Sequence, residues 1–126
     1  MNTPSNLKYT KSDEWFDSST GAMGLSDYAQ SQLSDIVFAE ILVAVGDTVD
    51  SGTAIASVES VKASAEIYAS ASGKVTEVNT AVSDKPETLN SDPYIAGWMI
   101  KVQGGTPADG MMDAPAYEQY CAGRTH

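Results

Sequence analysis

The sequence predicts a mainly β fold with a short internal helix and a C-terminal helix. Between Ile36 and Val102, β-branched residues recur in runs of strand length, and turn residues separate these runs. At 126 residues with 42% hydrophobic content, the chain is long enough for one compact core and too short for two. We therefore expect a single domain over residues 1–126, with its core at about 7–103 and a helix at about 113–122.

The first predicted elements are a β-hairpin and a short helix. Residues 14–16 and 22–25 flank a polar turn at 18–21, which is typical of a hairpin. Ser26 can accept a hydrogen bond from a free amide in the first turn of a helix, and apolar residues recur at helical spacing after it. The pattern therefore predicts a helix over 26–33.

The central part of the chain predicts strands that end in tight turns. These strands cover 36–41, 54–59 and 63–68, and Gly46 and Gly52 mark turns between the first two. The link from 54–59 to 63–68 is too short for anything except the tip of a hairpin. Because Lys62 is part of that link, we expect it at or beside an exposed turn.

The later part of the chain predicts further strands and the C-terminal helix. In order, the predicted elements are a turn at Ser72-Gly73, a half-buried strand at 74–78, a surface loop at 79–93, a strand at 98–102 and a chain break at 104–107. Asp113 can cap a helix, Pro115 fits its first turn, and Gly123 ends it.

The net charge of the chain limits the classes of partner that it is expected to bind. A formal charge of −10, from 17 acidic and 7 basic residues, disfavours nucleic acid and anionic membranes, because like charges repel. A partner with a basic face is favoured, and the alternative that acidity only maintains solubility is equally open. The longest apolar stretches, such as 41–45, are far shorter than the roughly 20 residues that span a bilayer.

The scarcity of reactive side chains excludes most enzyme classes. One cysteine, Cys121, leaves no internal disulfide and no cysteine metal cluster, and a buried thiol is expected there rather than a nucleophile. The single histidine is His126, so the histidine side chains that a catalytic triad or a histidine metal site requires are almost absent. We expect no catalytic residues and no metal. Residues 1–11 show no targeting signal, which favours a bacterial cytoplasm, or a mitochondrial matrix if the source is eukaryotic.

The segment Glu59-Ser60-Val61-Lys62-Ala63 carries the functional signal. A carboxylate lies three positions before Lys62, and Gly73 lies eleven positions after it. Alone, an exposed lysine is usually a solvated charge. With the turns at Gly46-Asp47 and Ser72-Gly73, however, the arrangement resembles the biotinyl and lipoyl carrier domains, in which two similar sheets place a modified lysine on a protruding turn. Among these, the pentapeptide is similar to the H proteins of the glycine cleavage system.

Further segments extend the resemblance from about residue 7 to residue 120. They are Lys8-Tyr9-Thr10, Ser12-Asp13-Glu14-Trp15, Asp27-Tyr28-Ala29-Gln30, Gly73-Lys74-Val75, Asp92-Pro93-Tyr94 and Gly97-Trp98-Met99-Ile100-Lys101-Val102. The resemblance implies a lipoyl/biotinyl-type barrel-sandwich hybrid. Departures include Asp13, where the family usually has histidine, and Ser70, where it has a turn proline. The first departure concerns how cargo is held.

The resemblance implies a role for each matching residue. Lys62 would be acylated by lipoate, and Glu59 and Gly73 would help a lipoate-attaching enzyme to recognise the hairpin. Ser12, Glu14 and Glu66 match the residues that line the cleft for the loaded arm. Considered without the family, Glu14 and Glu66 would be expected as solvated strand carboxylates.

The implied function is that of a non-catalytic, monomeric carrier. Its lipoate would take the aminomethyl group of glycine from the pyridoxal-phosphate decarboxylase (P protein) to the folate-dependent aminomethyltransferase (T protein). Dihydrolipoyl dehydrogenase (L protein) would then reoxidise the dithiol. Three alternatives remain: a related carrier for lipoate relay or redox defence, an enzyme that relies on Glu14 and Glu66, and an interaction module with unmodified Lys62.

Overall fold

The computed structural model describes residues 2–124, which form nine strands and four helices. His126 lies outside the described residues. The strands are β1 Lys8–Tyr9, β2 Glu14–Asp17, β3 Ala22–Leu25, β4 Ile36–Ile41, β5 Thr48–Val49, β6 Ala54–Ser60, β7 Ser64–Tyr68, β8 Ala71–Val78 and β9 Ile100–Pro107. The helices are α1 Asp27–Leu33, α2 Ala81–Asp84, α3 Thr88–Ser91 and α4 Ala114–Ala122.

The strands form two antiparallel sheets. One has six strands in the order β1-β2-β3-β9-β8-β5, and the other has three in the order β4-β6-β7. A cluster of buried side chains includes Met23 and Val75 from the larger sheet and Val58 and Ile67 from the smaller one. Burial of each such side chain contributes about 1.5–3 kcal/mol, so this cluster joins the sheets. The predicted mainly β fold, with two sheets around one core, is confirmed.

The predicted amino-terminal hairpin and helix are both present. β2 pairs with β3, and Gly21 in the turn between them has φ +79°. A Cβ at Gly21 would lie 2.1 Å from the Val102 carbonyl oxygen, so only glycine fits there. At the start of α1, the Ser26 hydroxyl accepts a hydrogen bond from the Ala29 amide at 3.2 Å.

No helix among residues 2–124 is long and apolar enough to cross a membrane.

The C-terminal helix also forms where it was predicted. The Asp113 carboxylate accepts a hydrogen bond from the Ala116 amide at 3.0 Å, and α4 ends before Gly123. On the inner side of α4, the ring of Tyr117 stacks on that of Tyr9, with centroids 4.6 Å apart. A second apolar cluster around this stack therefore holds α4 against β1.

Two predicted interruptions of the later strands are wrong. Ser72-Gly73 is not a turn, because both residues lie inside β8, at a β-bulge opposite β9. The segment 104–107 does not break the chain either, since β9 continues through it and pairs Thr106 with Ser72. The register between β8 and β9 shifts between the Ser72–Thr106 and Lys74–Gln103 pairs, and Gly104 in that irregularity has φ +68°, which glycine adopts without strain.

The predicted surface loop at 79–93 is also wrong. It contains α2 and α3, and the side chains of Val82 and Leu89 are fully buried. Its polar residues satisfy backbone groups: the Asn90 amide donates to the Ser34 carbonyl at 2.8 Å, and its oxygen accepts from the Ile36 amide at 2.8 Å. The segment therefore packs beside β4 instead of wandering over the surface.

Candidate functional site

The predicted lysine hairpin is a turn that its own first residue stabilises. The Ser60 amide donates to the Ala63 carbonyl at 2.7 Å, and the Ser60 hydroxyl accepts from the amides of Ala63 and Lys62 at 3.1 and 3.3 Å. From outside the turn, the Asp35 carbonyl accepts from the Val61 amide at 3.0 Å. The backbone of the tip is thus held on both sides, while Val61 and Lys62 at its centre are exposed.

Lys62 presents a free amine at this tip. Its side chain is exposed, and among residues 2–124 no Asp or Glu oxygen lies within 4.0 Å of its Nζ. An amine with no ion-pair partner need not be released from a contact before it reacts. The geometry therefore suits acylation by an enzyme that binds the hairpin.

The residues predicted to aid recognition lie in different sheets. Glu59 is exposed on β6, three residues before Lys62, and it faces Ser64 of β7 across the hairpin. Gly73 lies in the six-stranded sheet, where it pairs with Val49. The five residues of β7 lead away from the tip over a span of about 17 Å before the chain enters that sheet. The structure therefore groups Glu59 with Lys62 and places Gly73 beyond the distal end of β7.

Gly73 has a packing reason to be glycine. A Cβ there would lie 2.9 Å from the Gln103 carbonyl oxygen and 3.0 Å from Val102 Cβ. We expect Gly73→Ala to lower the free energy of unfolding by about 1–3 kcal/mol, measured by denaturant unfolding. Gly123→Ala, whose added Cβ would be 3.7 Å from its nearest neighbour, is the matched control and should stay near wild type. Unchanged stability with slow lipoylation in Gly73→Ala would instead favour direct recognition.

Glu14 is buried, contrary to the expectation of a solvated carboxylate. It is 1% exposed at the start of β2. One carboxyl oxygen accepts hydrogen bonds from the hydroxyls of Ser12 at 2.6 Å and Thr10 at 2.7 Å, and the other accepts from the Tyr68 amide at 3.4 Å. Burial raises the pKa of the Glu14 carboxyl, and these hydrogen bonds oppose the rise. Glu66, in contrast, is exposed on β7, as expected.

Three surface hollows that share lining residues lie between the hairpin and Glu14. The first, of about 450 Å³, lies beside Glu59, Glu66 and Tyr68. Tyr68 also lines an open cleft of about 520 Å³ that contains Ser12 and Glu14. Ser12 and Glu66 meet again in a third hollow of about 280 Å³. Ser12 thus lies between the cleft that contains Glu14 and the hollow that contains Glu66, and Glu66 also lines the hollow next to the hairpin.

Arg124 belongs to this site and was not predicted. Its guanidinium donates to both carboxylate oxygens of Asp13, at 2.6 and 3.0 Å, and lies over the rings of Tyr28 and Tyr120 at 4.5 and 5.0 Å. The hydrogen bond to Asp13 raises the pKa of Arg124. The Tyr117 hydroxyl also donates to Asp13 at 2.8 Å. The pair therefore fastens residue 124 to the loop that carries the cleft residues.

The unusual Asp13 now has a structural explanation. It has φ +77°, in the left-handed region that aspartate tolerates better than most residues. Its negative charge is the partner that Arg124 needs. The sequence shows Arg124 directly after the predicted helix end at Gly123. No local pattern indicates that its partner is Asp13, 111 residues away. Cys121, as expected, is buried, and burial raises the pKa of its thiol.

The burial of Glu14 predicts a dependence of stability on pH. The pKa of the Glu14 carboxyl is higher in the folded chain than in the unfolded chain. The stability that Glu14 contributes is therefore fully present below its unfolded pKa of about 4.3, and it is lost as the pH rises through its folded pKa. Glu14→Gln is neutral at every pH. We therefore expect this variant to gain stability relative to wild type between about pH 4 and pH 8, measured by denaturant unfolding at both.

The exposed Glu66 supplies the control for that experiment. Glu66→Gln removes the same charge from the surface of β7, so it corrects for the change in net charge. A stability difference between Glu14→Gln and wild type that stays constant over this pH range would mean that Glu14 does not hold its proton more tightly in the folded chain.

The chain is similar to known proteins over nearly its whole length. A family model described as glycine cleavage H-protein matches residues 7–123. A glycine cleavage system H protein from an Anaeromyxobacter species is 46% identical over 124 residues, which cover 95% of this chain and 96% of that protein. One from Deinococcus deserti is 46% identical over 118 residues, covering 94% and 97%. The crystal structure of such a protein from Mycobacterium marinum matches with a TM-score of 0.83 and 36% identity, over 92% of this chain and 96% of that chain.

Proposed function

The chain belongs to the glycine cleavage H-protein family of lipoyl carriers, and we propose that Lys62 is the residue that carries lipoate. The observation that supports this most strongly is the exposed amine at the centre of a turn whose backbone is fixed by Ser60 and Asp35. When attached, lipoate supplies a strained disulfide that exchanges with thiols. The described chain offers no such group of its own, because its one thiol, at Cys121, is buried.

We infer that Glu59 and Gly73 contribute to lipoylation in different ways. Glu59 is exposed on the same hairpin as Lys62 and can be touched by an attaching enzyme that covers the turn. Gly73 allows the close approach of β8 to β9, and so it supports the sheet against which the hairpin is packed. This assignment makes Glu59 a recognition residue and Gly73 a positioning residue.

The surface that leads from the hairpin to Glu14 is suited to a short cationic cargo. Glu66 follows Lys62 by four residues, at most about 14 Å of chain. A carboxylate at such an exposed position stabilises a nearby amine by about 0.2–1 kcal/mol. Beyond Glu66, the Ser12 hydroxyl donates a hydrogen bond to the carboxylate of Glu14, which is buried. We assign these three residues to the binding of an aminomethyl cargo derived from glycine.

The proposed partners are the enzymes of glycine cleavage. Cargo would be received from the pyridoxal-phosphate decarboxylase and delivered to the folate-dependent aminomethyltransferase, with dihydrolipoyl dehydrogenase restoring the disulfide. The chain itself would be their shared, non-catalytic substrate, and a lipoate-attaching enzyme would prepare it. The carboxyl groups of Glu14 and Glu66 line neighbouring hollows that share Ser12, and in this proposal they bind a cation without chemistry by the chain.

Glycine–bicarbonate exchange tests this function directly. The recombinant protein, with its lipoylation verified by intact mass, is incubated with the decarboxylase, glycine and labelled bicarbonate. We expect exchange that depends on the lipoylated form, and the same protein without lipoate is the control. Absence of exchange, combined with transfer of lipoate to another protein, would instead identify a carrier for lipoate relay.

A further inference from the structure

Exposed apolar side chains are concentrated near Lys62. Among residues 2–124, six large hydrophobic residues are exposed: Val37, Phe38, Leu42, Val45, Val61 and Ile95. Three of them, Val37, Phe38 and Val61, lie beside the lysine turn and are 58%, 45% and 67% exposed. Val61 is the neighbour of Lys62 in the turn, and Phe38 is paired with Glu59 on the adjacent strand. Contiguous exposed apolar groups of this kind mark binding surfaces more often than isolated ones do.

A β-bulge in β4 creates this exposure. The register moves from Ile36 opposite Ser60 to Phe38 opposite Glu59, so two residues of β4 correspond to one of β6. Ile36 and Ala39 on either side of the bulge are both 3% exposed. In a regular strand, alternation would place Phe38 on the buried side with Ile36. The bulge instead turns Val37 and Phe38 outward together, as bulges do where a side chain must be re-aimed.

Acidic groups surround these apolar residues. Phe38, Glu59 and Ser64 are opposite one another in register, and Glu40, Ser57 and Glu66 form the next row. Residues opposite each other in a sheet share a face, so Glu40, Glu59 and Glu66 all lie on the same side as Phe38. Between residues 12 and 73 the sequence contains no Lys or Arg other than Lys62. Arg124 lines a hollow together with Glu66 but is paired with Asp13, so acylation of Lys62 removes the one basic charge that residues 12–73 contribute to this face.

We propose that Val37, Phe38 and Val61, here called the hairpin patch, dock the enzyme that acylates Lys62. This inference rests on the proposed function. The complementary surface on that enzyme is an apolar recess bordered by Lys or Arg side chains, because the patch is apolar and its surroundings are acidic. The attaching enzyme is the occupant since it must cover the turn to reach the Lys62 amine, and Val61 adjoins that amine. The patch fixes the side of approach, across β4 and the tip.

The rate of lipoylation tests the patch. Full-length unmodified protein is titrated into a purified lipoate-attaching enzyme, and kcat/KM is measured for wild type, Phe38→Ser and Ile95→Ser. We expect Phe38→Ser to lower kcat/KM by about 10- to 100-fold, mainly through KM, because an apolar contact is lost. Ile95→Ser, at a residue that is 79% exposed in another part of the surface, should stay within about twofold of wild type.

A second variant keeps the test decisive. Val61→Ser changes a 67% exposed residue at the tip, so it replaces Phe38→Ser if that variant does not fold. Raising the ionic strength should lower the wild-type kcat/KM, because the acidic surroundings attract the basic border of the enzyme. Equal kcat/KM for the patch variants and Ile95→Ser would overturn the patch. Wild-type protein that is not acylated at all would overturn the proposed function instead.

Sedimentation of the wild-type protein distinguishes the remaining occupant, a second copy of this chain. Self-association that Phe38→Ser abolishes and Ile95→Ser does not would assign the hairpin patch to a dimer interface, and it would overturn docking of the enzyme there. A monomer at the concentrations of the lipoylation assay supports the proposal, because the patch is then free to meet the enzyme.

Discussion

Lys62→Arg should carry no lipoate and support no glycine–bicarbonate exchange, while its unfolding matches that of wild type. Arginine keeps the positive charge and much of the length, but its guanidinium stays protonated and does not form the amide. The fold should lose less than about 0.5 kcal/mol, since Lys62 is exposed and has no ion pair within residues 2–124. Intact mass after incubation with the attaching enzyme, together with a thermal melt, measures both outcomes.

Lys85→Arg is the matched control for this experiment. Lys85 is likewise exposed, in the link between α2 and α3. We expect it to become fully lipoylated and to support exchange. If Lys62→Arg still gained the mass of one lipoyl group, the attached lysine would lie elsewhere in the chain, and the hairpin would lose its assigned role.

Leu89→Ala should lower the free energy of unfolding by about 2–5 kcal/mol, although the sequence places this residue in a polar segment. Leu89 is fully buried and belongs to the main apolar cluster, so its removal leaves a cavity between α3 and the sheets. Ile95→Ala is the control, because this residue lies in the next turn and is 79% exposed. It should change stability by less than about 0.5 kcal/mol. Denaturant unfolding measures both.

Similar small losses in the two variants would mean that α3 is not part of the cooperative core. In that case, the loop interpretation of 79–93 would describe the behaviour of the segment better than its packing does. A loss confined to Leu89→Ala would show that α3 and the sheets unfold together.

Local signals predicted most of the fold. Ser26 and Asp113 start their helices through hydrogen bonds within three residues, and each is visible in the sequence as a polar residue before an apolar repeat. The lysine hairpin was equally accessible, because a link of three residues between two strands leaves only a turn. Such elements are specified by neighbours along the chain.

The errors arose where distant partners decide the structure. Gly73 looks like a turn residue in isolation, but strands on both sides hold it in β8. Val82 and Leu89 are isolated apolar residues in a polar segment, so periodicity does not reveal that they are buried. Glu14 is buried because Thr10, Ser12 and Tyr68 supply its hydrogen bonds, and no pattern of spacing predicts that set.

The two halves of the site differ sharply in how far apart their contacts lie along the chain. The bonds within the lysine turn join residues two or three apart, whereas the Asp13–Arg124 pair spans 111 residues. Closing a long loop costs more entropy than closing a short one. We therefore expect the lysine turn to form early in folding and the Asp13–Arg124 ion pair to form late. An attaching enzyme could then meet a finished turn on a chain whose cargo surface is still incomplete. The Tyr9 amide, which donates to the Met112 carbonyl at 2.8 Å, reports the closure of the two ends of the chain. Pulse-labelling hydrogen exchange that protects the Ser60 and Tyr9 amides simultaneously would contradict this order.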